Sequence, residues 1–278
     1  MLNELLEIFQ TKIKALEILY VIENVKPVAR IMTLDDKSVI AFCARNKLYL
    51  EEADFKIGMI DEEKEYSNKG IILDKHKQGY KVLYISKDLI KAQQAKNYEN
   101  KKDHYNLGLL LGYPECCCLF FQKNSEDEEN KKNDFILKIA NNTTSVNNPF
   151  YTNVFTTYFD HSLISHFPHS FNCKDSINLA KKHFKIMQKH SEEISKNYIH
   201  MLECVAIYSP LGVYIIYGNM ENNIITPVKI LSNIKDELYN LIYNSKTIEI
   251  VDKHCIKLNK STLRNPKLAV INFCKEEH

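Results

Sequence analysis

The sequence predicts an α+β fold: a helical central region carrying a Cys/His site, with antiparallel β-rich N- and C-terminal parts. Three observations carry this. Short runs of β-branched and aromatic residues, punctuated by Gly, Asn and Asp, fill residues 28–85 and again 205–273. Between them, apolar residues recur at three- and four-residue spacing, the period of a helix with one buried face. With only 7 glycines in 278 residues and no Gly-rich phosphate loop, the sequence argues against a nucleotide-binding Rossmann or P-loop core, and no nucleotide cofactor is expected. The resulting organisation is 1–85, an N-terminal helix plus a β-rich region; 86–202, a helical Cys/His-bearing core; and 203–278, a C-terminal β-rich region. One integrated domain would accommodate all three.

Element by element, Leu5, Leu6, Phe9, Ile13, Leu16, Leu19 and Tyr20 predict one helix over residues 3–20. Strands are expected at 28–34, 39–43, 47–50, 56–60, 71–73 and 80–85, short connections making the sheet antiparallel. Ser86 can cap a helix that begins at Asp88, and a second helix is expected from Lys102 to Leu111. The charged stretch Asn124 to Asp134 reads as a solvated loop, Asp134 to Ala140 as a helix and 141–153 as a long loop. One long helix is expected from Asp175 to about Leu202. The last third then reads as strands at 205–209, 213–217, 224–231, 247–251, 255–258 and 268–273, with a helix near 234–243.

The chemistry concentrates in Gly112-Tyr-Pro-Glu-Cys-Cys-Cys-Leu-Phe-Phe121. Gly112 can take the left-handed conformation that closes one helix, and Pro114 suits the first position of the next. Cys116 and Cys117 then fall in a first turn, where unpaired N–H groups and the helix dipole favour a thiolate. Cys118, 100° further round the helix, is expected in the core. Tyr113 is expected to close the turn by packing. The second stretch, His166-Phe-Pro-His-Ser-Phe-Asn-Cys173, brings two histidines and a cysteine into a loop before a helix, in a compact ligand-like spacing. Cys173 shares the helix-start position argued for Cys116 and Cys117.

Together these stretches resemble a prokaryotic family of uncharacterised function. Its members share Gly-Tyr-Pro-x-Cys-Cys-x-x-Phe-Phe followed by His-x-Pro-Cys-x-x-x-Cys. The match runs through Gly112, Tyr113, Pro114, Cys116, Cys117, Phe120, Phe121, His166, Pro168 and Cys173 and concerns roughly the middle third of the chain. Position 169 is His where the family pattern has Cys. Both residues ligate metals, so the departure is compatible with a metal site and disfavours an all-thiolate cluster.

Two chemistries follow from this residue set. Cys116, Cys117, His166, His169 and Cys173 form a candidate metal site for zinc or iron, an iron–sulfur cluster included, with one of the adjacent cysteines expected to face the ion. Such a site could belong to a metal-dependent enzyme. Alternatively, Cys117 is a nucleophile, His166 its base and Asp175 or Asp160 the orienting carboxylate, the skeleton of an acyl or amide transferase or hydrolase. Against the second, the chain has no Trp and lacks the Gly-Ser-Cys-Trp setting of papain-like enzymes. A structural or interaction protein without catalysis is the bland alternative, in which these cysteines are small buried hydrophobes. Cys43, Cys204, Cys255 and Cys274 fit that description, and single histidines such as His183, His190 and His254 read as packing residues.

Composition bounds the rest. Lys and Arg total 37 against 35 Asp and Glu, a net charge of +2, without the basic footprint of a nucleic-acid binder. No apolar run approaches a membrane span, and the carboxylate-interrupted start reads as an amphipathic helix. Eight cysteines, three of them adjacent, argue for reduced thiols in a cytoplasmic setting. The expected partner is a small molecule or protein substrate, with neither membrane nor nucleic acid.

Overall fold

The amphipathic start folds as two helices, α1 (Leu2–Phe9) and α2 (Lys12–Ile22). Gln10 turns left-handed at φ 56°, and the Thr11 hydroxyl accepts from Lys14 N at 3.3 Å, starting a new helix where one was expected. The computed structural model describes residues 1–34, 36–58, 71–125, 135–259 and 261–275. α2 is buried without interruption from Ala15 to Val21, Glu17 included.

β1 (Val28–Thr33) follows, and the expected strand at 39–43 is instead α3 (Lys37–Arg45). Val39, Phe42 and Cys43 are buried while Ile40 is exposed, a three-and-four spacing that only a helix can bury. The expected strands at 47–50 and 56–60 merge into β2 (Tyr49–Gly58), with a register irregularity between Glu52 and Lys56. With β3 (Ile71–Asp74) and β4 (Tyr80–Ser86) they form an antiparallel sheet ordered β1-β4-β2-β3. Its core joins Val28, Val82 and Tyr84 to Ala95 of α4 (Leu89–Asn100) and Leu107 of α5 (His104–Leu110). Asp88, not Ser86, caps α4, its carboxylate accepting from Ile90 N at 2.9 Å. Arg30 grips Glu99 through two hydrogen bonds of 2.8 and 2.7 Å, tying β1 to α4, and the Tyr84 hydroxyl donates to the same carboxylate. α6 (Glu115–Asn124) follows the cysteine turn. The charged stretch expected as a loop lies largely outside the described residues.

The second sheet has eight strands among the described residues, in the order β11-β10-β9-β8-β7-β6-β12-β5. β6 (Cys204–Ser209), β7 (Gly212–Glu221), β8 (Ile224–Ser232), β9 (Ile248–Asp252), β10 (Cys255–Leu258) and β12 (Ala269–Cys274) lie where strands were expected. β11 (Ser261–Arg264) is additional: four largely polar residues carry no alternation to reveal it. The expected loop 141–153 contains β5 (Asn147–Pro149), paired with β12 in parallel, and a short 3-10 turn at Phe150–Thr152. Val205, Ile207, Tyr214, Ile216, Ile250 and Val270 centre this core. α7 (Ile136–Asn142) precedes β5, and the Lys253 ammonium donates to the Ala140, Asn141 and Thr143 carbonyls at its end. The single long helix expected after Asp175 breaks at Ser191 into α8 (Lys174–His190) and α9 (Glu192–Leu202), and α10 (Glu237–Tyr243) is capped by Asp236.

The chain thus clusters into two units, one holding the four-stranded sheet with Lys181–Glu193, the other holding Asp134–Ala180 and Ile194–His278. The fold is α+β, and no helix among the described residues is long and apolar enough to cross a membrane.

Candidate metal centre

The first ligand-bearing element is built by a turn. Gly112 sits at φ +79°, and Gly112 N and Tyr113 N donate to the Leu109 and Gly108 carbonyls, each at 3.0 Å, closing α5. Pro114 then occupies the cap position of α6, and its carbonyl accepts from Cys117 N at 2.9 Å and Cys118 N at 3.0 Å. Cys116 and Cys117 therefore ride on the first turn, where the helix dipole favours negative charge. Their sulfurs are 3.9 Å apart. Cys118 turns away: its Sγ lies 2.7 Å from where a Cβ on Gly108 would stand, and burial pushes its thiol up to about 11. That packing role matches the expectation for it.

The second element is the loop before α8. The Cys173 carbonyl accepts the first helical bond, from Ile177 N at 3.0 Å, and Cys173 N donates to Ser170 O at 3.1 Å. Three further bonds pin the loop: Asn142 Nδ2 to His169 O at 3.0 Å, Phe171 N to Thr143 Oγ1 at 2.9 Å, and Thr152 Oγ1 to Phe171 O at 2.5 Å. Three of these five partners, Asn142, Thr143 and Thr152, come from the Asn- and Thr-rich segment 141–153, which is how that composition serves the site.

Cys116, Cys117, His169 and Cys173 form a group that can hold a metal ion, one ligand atom from each residue lying within 4.8 Å of the others. Cys117 and Cys173 are buried, while Cys116 and His169 are half-buried. The group takes in both adjacent cysteines, where one was expected to face the ion. His166 is not in it; its Nε2 lies 2.9 Å from Ser176 Oγ. Asp175 is exposed on the first turn of α8, and Asp160 ends a 3-10 turn at φ 57°. Elsewhere, Cys43, Cys204 and Cys255 are buried and Cys274 half-buried. His183 stacks on Tyr20 at 3.9 Å, His190 Nε2 meets Glu23 at 2.6 Å, and His254 Nδ1 lies 2.7 Å from Leu268 O.

One feature behind the cysteine turn escaped the sequence reading. Lys26 and Glu17 form an ion pair with side chains 2% and 8% exposed, and Lys26 Nζ sits 4.9 Å from the Tyr113 ring centroid. The signal was a lone carboxylate inside the apolar run Ala15 to Ile22, since a buried charge demands a partner. No protein-family model matches the chain, and neither a curated protein nor a solved structure matches it.

Proposed function

We propose that the protein binds a single zinc ion through Cys116, Cys117, His169 and Cys173. The mutual spacing of the four ligand atoms, all within 4.8 Å, carries the reading. Ligands held at about 2.0–2.3 Å from one tetrahedral ion stand roughly 3.3–3.8 Å apart, so a group whose ligand atoms lie within 4.8 Å needs only a small contraction to close on one. The Cys116–Cys117 separation is 3.9 Å. The four ligands of an iron–sulfur cluster are divided over two or more irons and point outward from the cluster, so the set spreads further; the spacing supports a single ion. Three thiolates and an imidazole suit zinc, with iron(II) the competing occupant.

Four protein ligands complete zinc's preferred tetrahedron, the pattern of a structural site, whereas catalytic zinc keeps a position open. The proposed role is accordingly structural, with metal binding and folding linked. The ligands lie in the two segments that resemble the prokaryotic family, and we take the site as that family's shared feature with His169 in place of a cysteine. Three thiols so close together are best kept in a reducing compartment. The acyl-transfer reading through Cys117, His166 and Asp175 has less support, because His166 Nε2 is engaged by Ser176 and Asp175 is exposed.

Elemental analysis of protein purified without oxygen tests the proposal, with one equivalent of zinc and a colourless spectrum expected. A chelator should lower the melting temperature. Protein without stoichiometric metal whose melting temperature ignores chelator overturns the reading.

A further inference from the structure

We infer that Lys26, paired with Glu17, is a positioning residue for the metal centre: it fixes the Gly112–Pro114 turn that aims Cys116 and Cys117. The inference rests on the zinc reading and assigns it a supporting group outside the ligand set. Burial by itself lowers the Lys26 pKa, yet the nearby Glu17 and Tyr113 outweigh this and raise it above the ordinary lysine value. A charge is thus maintained inside the protein. Buried ion pairs of this kind are often no more stabilising than apolar side chains of the same shape, so stability alone is a poor reason for one. Geometry gives a better reason.

Lys26 and Pro27 lie directly beneath the turn. A Cβ on Gly112 would meet Pro27 Cδ at 3.1 Å and Lys26 Cγ at 3.6 Å, so the backbone approaches as closely as glycine permits. The ammonium lies near the Tyr113 ring, which also packs on the first sheet's core. Glu17, on the buried helix α2, sets where that ammonium stands. From Tyr113 the chain passes to Pro114, whose carbonyl holds Cys117 N and Cys118 N. The orientation of the sulfurs is therefore inherited from the ion pair through two consecutive residues.

The test replaces both charges together, Glu17→Leu with Lys26→Met, so that neither is stranded. Cobalt(II) serves as the probe, read through its d–d and thiolate charge-transfer bands. The expected result is a metal-free melting temperature at or above wild type with cobalt affinity weakened roughly tenfold or more, the scale of losing groups that orient metal ligands, and altered band intensities. A purely structural pair would leave affinity and spectrum unmoved. Should the double variant not fold, Tyr113→Leu, which removes both the ring and the hydroxyl that face the ammonium, reads the same contact from its other side. Wild-type cobalt uptake with the folded double variant, or Tyr113→Leu in its place, within twofold of it overturns the assignment alone. No uptake by the wild type overturns the zinc reading and this assignment with it.

Discussion

Gly108→Ala should change sign with the residue at position 118. Gly108 lies inside α5, where alanine is favoured over glycine by about 1 kcal/mol. The new Cβ, however, would stand 2.7 Å from Cys118 Sγ, about 1 Å inside ordinary contact, and the short cysteine side chain has a single rotatable bond with which to withdraw. Overpacking of this kind costs roughly 1–3 kcal/mol, so the net expectation is a loss of up to about 2 kcal/mol. With Cys118→Ala in place, the nearest atoms become the Cβ at position 118, 3.5 Å away, and Tyr113 Cδ2 at 3.7 Å, ordinary contacts. The same substitution should then stabilise by up to about 1 kcal/mol, a coupling of roughly 1–3 kcal/mol across the cycle. Urea denaturation of the four metal-free proteins measures it, and zinc content should stay at wild-type stoichiometry in Cys118→Ala. A Gly108→Ala cost that is absent, or that persists in the Cys118→Ala background, would refute the packing role given to Cys118.

Three other outcomes follow from the same structure. His169→Ala should lose zinc affinity and thermal stability while His169→Cys retains both, as competition with a chromophoric chelator would show; equal affinity in the alanine variant would remove His169 from the site. Glu23 has its pKa lowered chiefly by hydrogen bonds from Lys189 and His190, so its contribution is present above the ordinary carboxylate value of 4.5 and is lost as pH falls below it. Glu23→Gln should flatten that acid limb in pH-dependent melting, modestly because the group is partly solvated, and an unchanged limb would count against the pairing. Asn153 is buried, donating to Leu202 O at 2.8 Å and accepting from Phe155 N at 3.1 Å, so Asn153→Ala should cost roughly 2–4 kcal/mol in urea unfolding, against little if those groups find water.

Legibility in the sequence depended on whether one physical signal acted alone. Strands β6 to β10 and β12 were readable because apolar β-branched runs between turn residues have no competing interpretation. α3 was misread because Val39-Ile-Ala-Phe-Cys43 is a short apolar run, and only burial of residues 39, 42 and 43 tells its period. The breaks at Gln10 and Ser191 interrupt no hydrophobic pattern, so periodicity passes straight through them. At the candidate site, helix-start chemistry marked Cys116, Cys117 and Cys173, and spacing marked His169 and His166 alike. What separated the two histidines was the partner each found in space, Ser176 for His166. Long-range pairing is not written in local spacing.

The parallel pairing of β5 with β12 has a consequence for the order in which the protein can be made. Asn147 to Pro149 lie beside Asn272 to Cys274, and β12 is itself inserted between β5 and β6. A ribosome delivers β5 and β6 long before the strand that must separate them. Until residues 269–274 emerge, β6 presents an unsatisfied edge to the cell, and β5 has nothing to pair with. Closing so distant a contact is slow, and an open edge in the interval invites pairing with other chains. Nascent chains halted short of residue 269 should therefore be the species that chaperones hold.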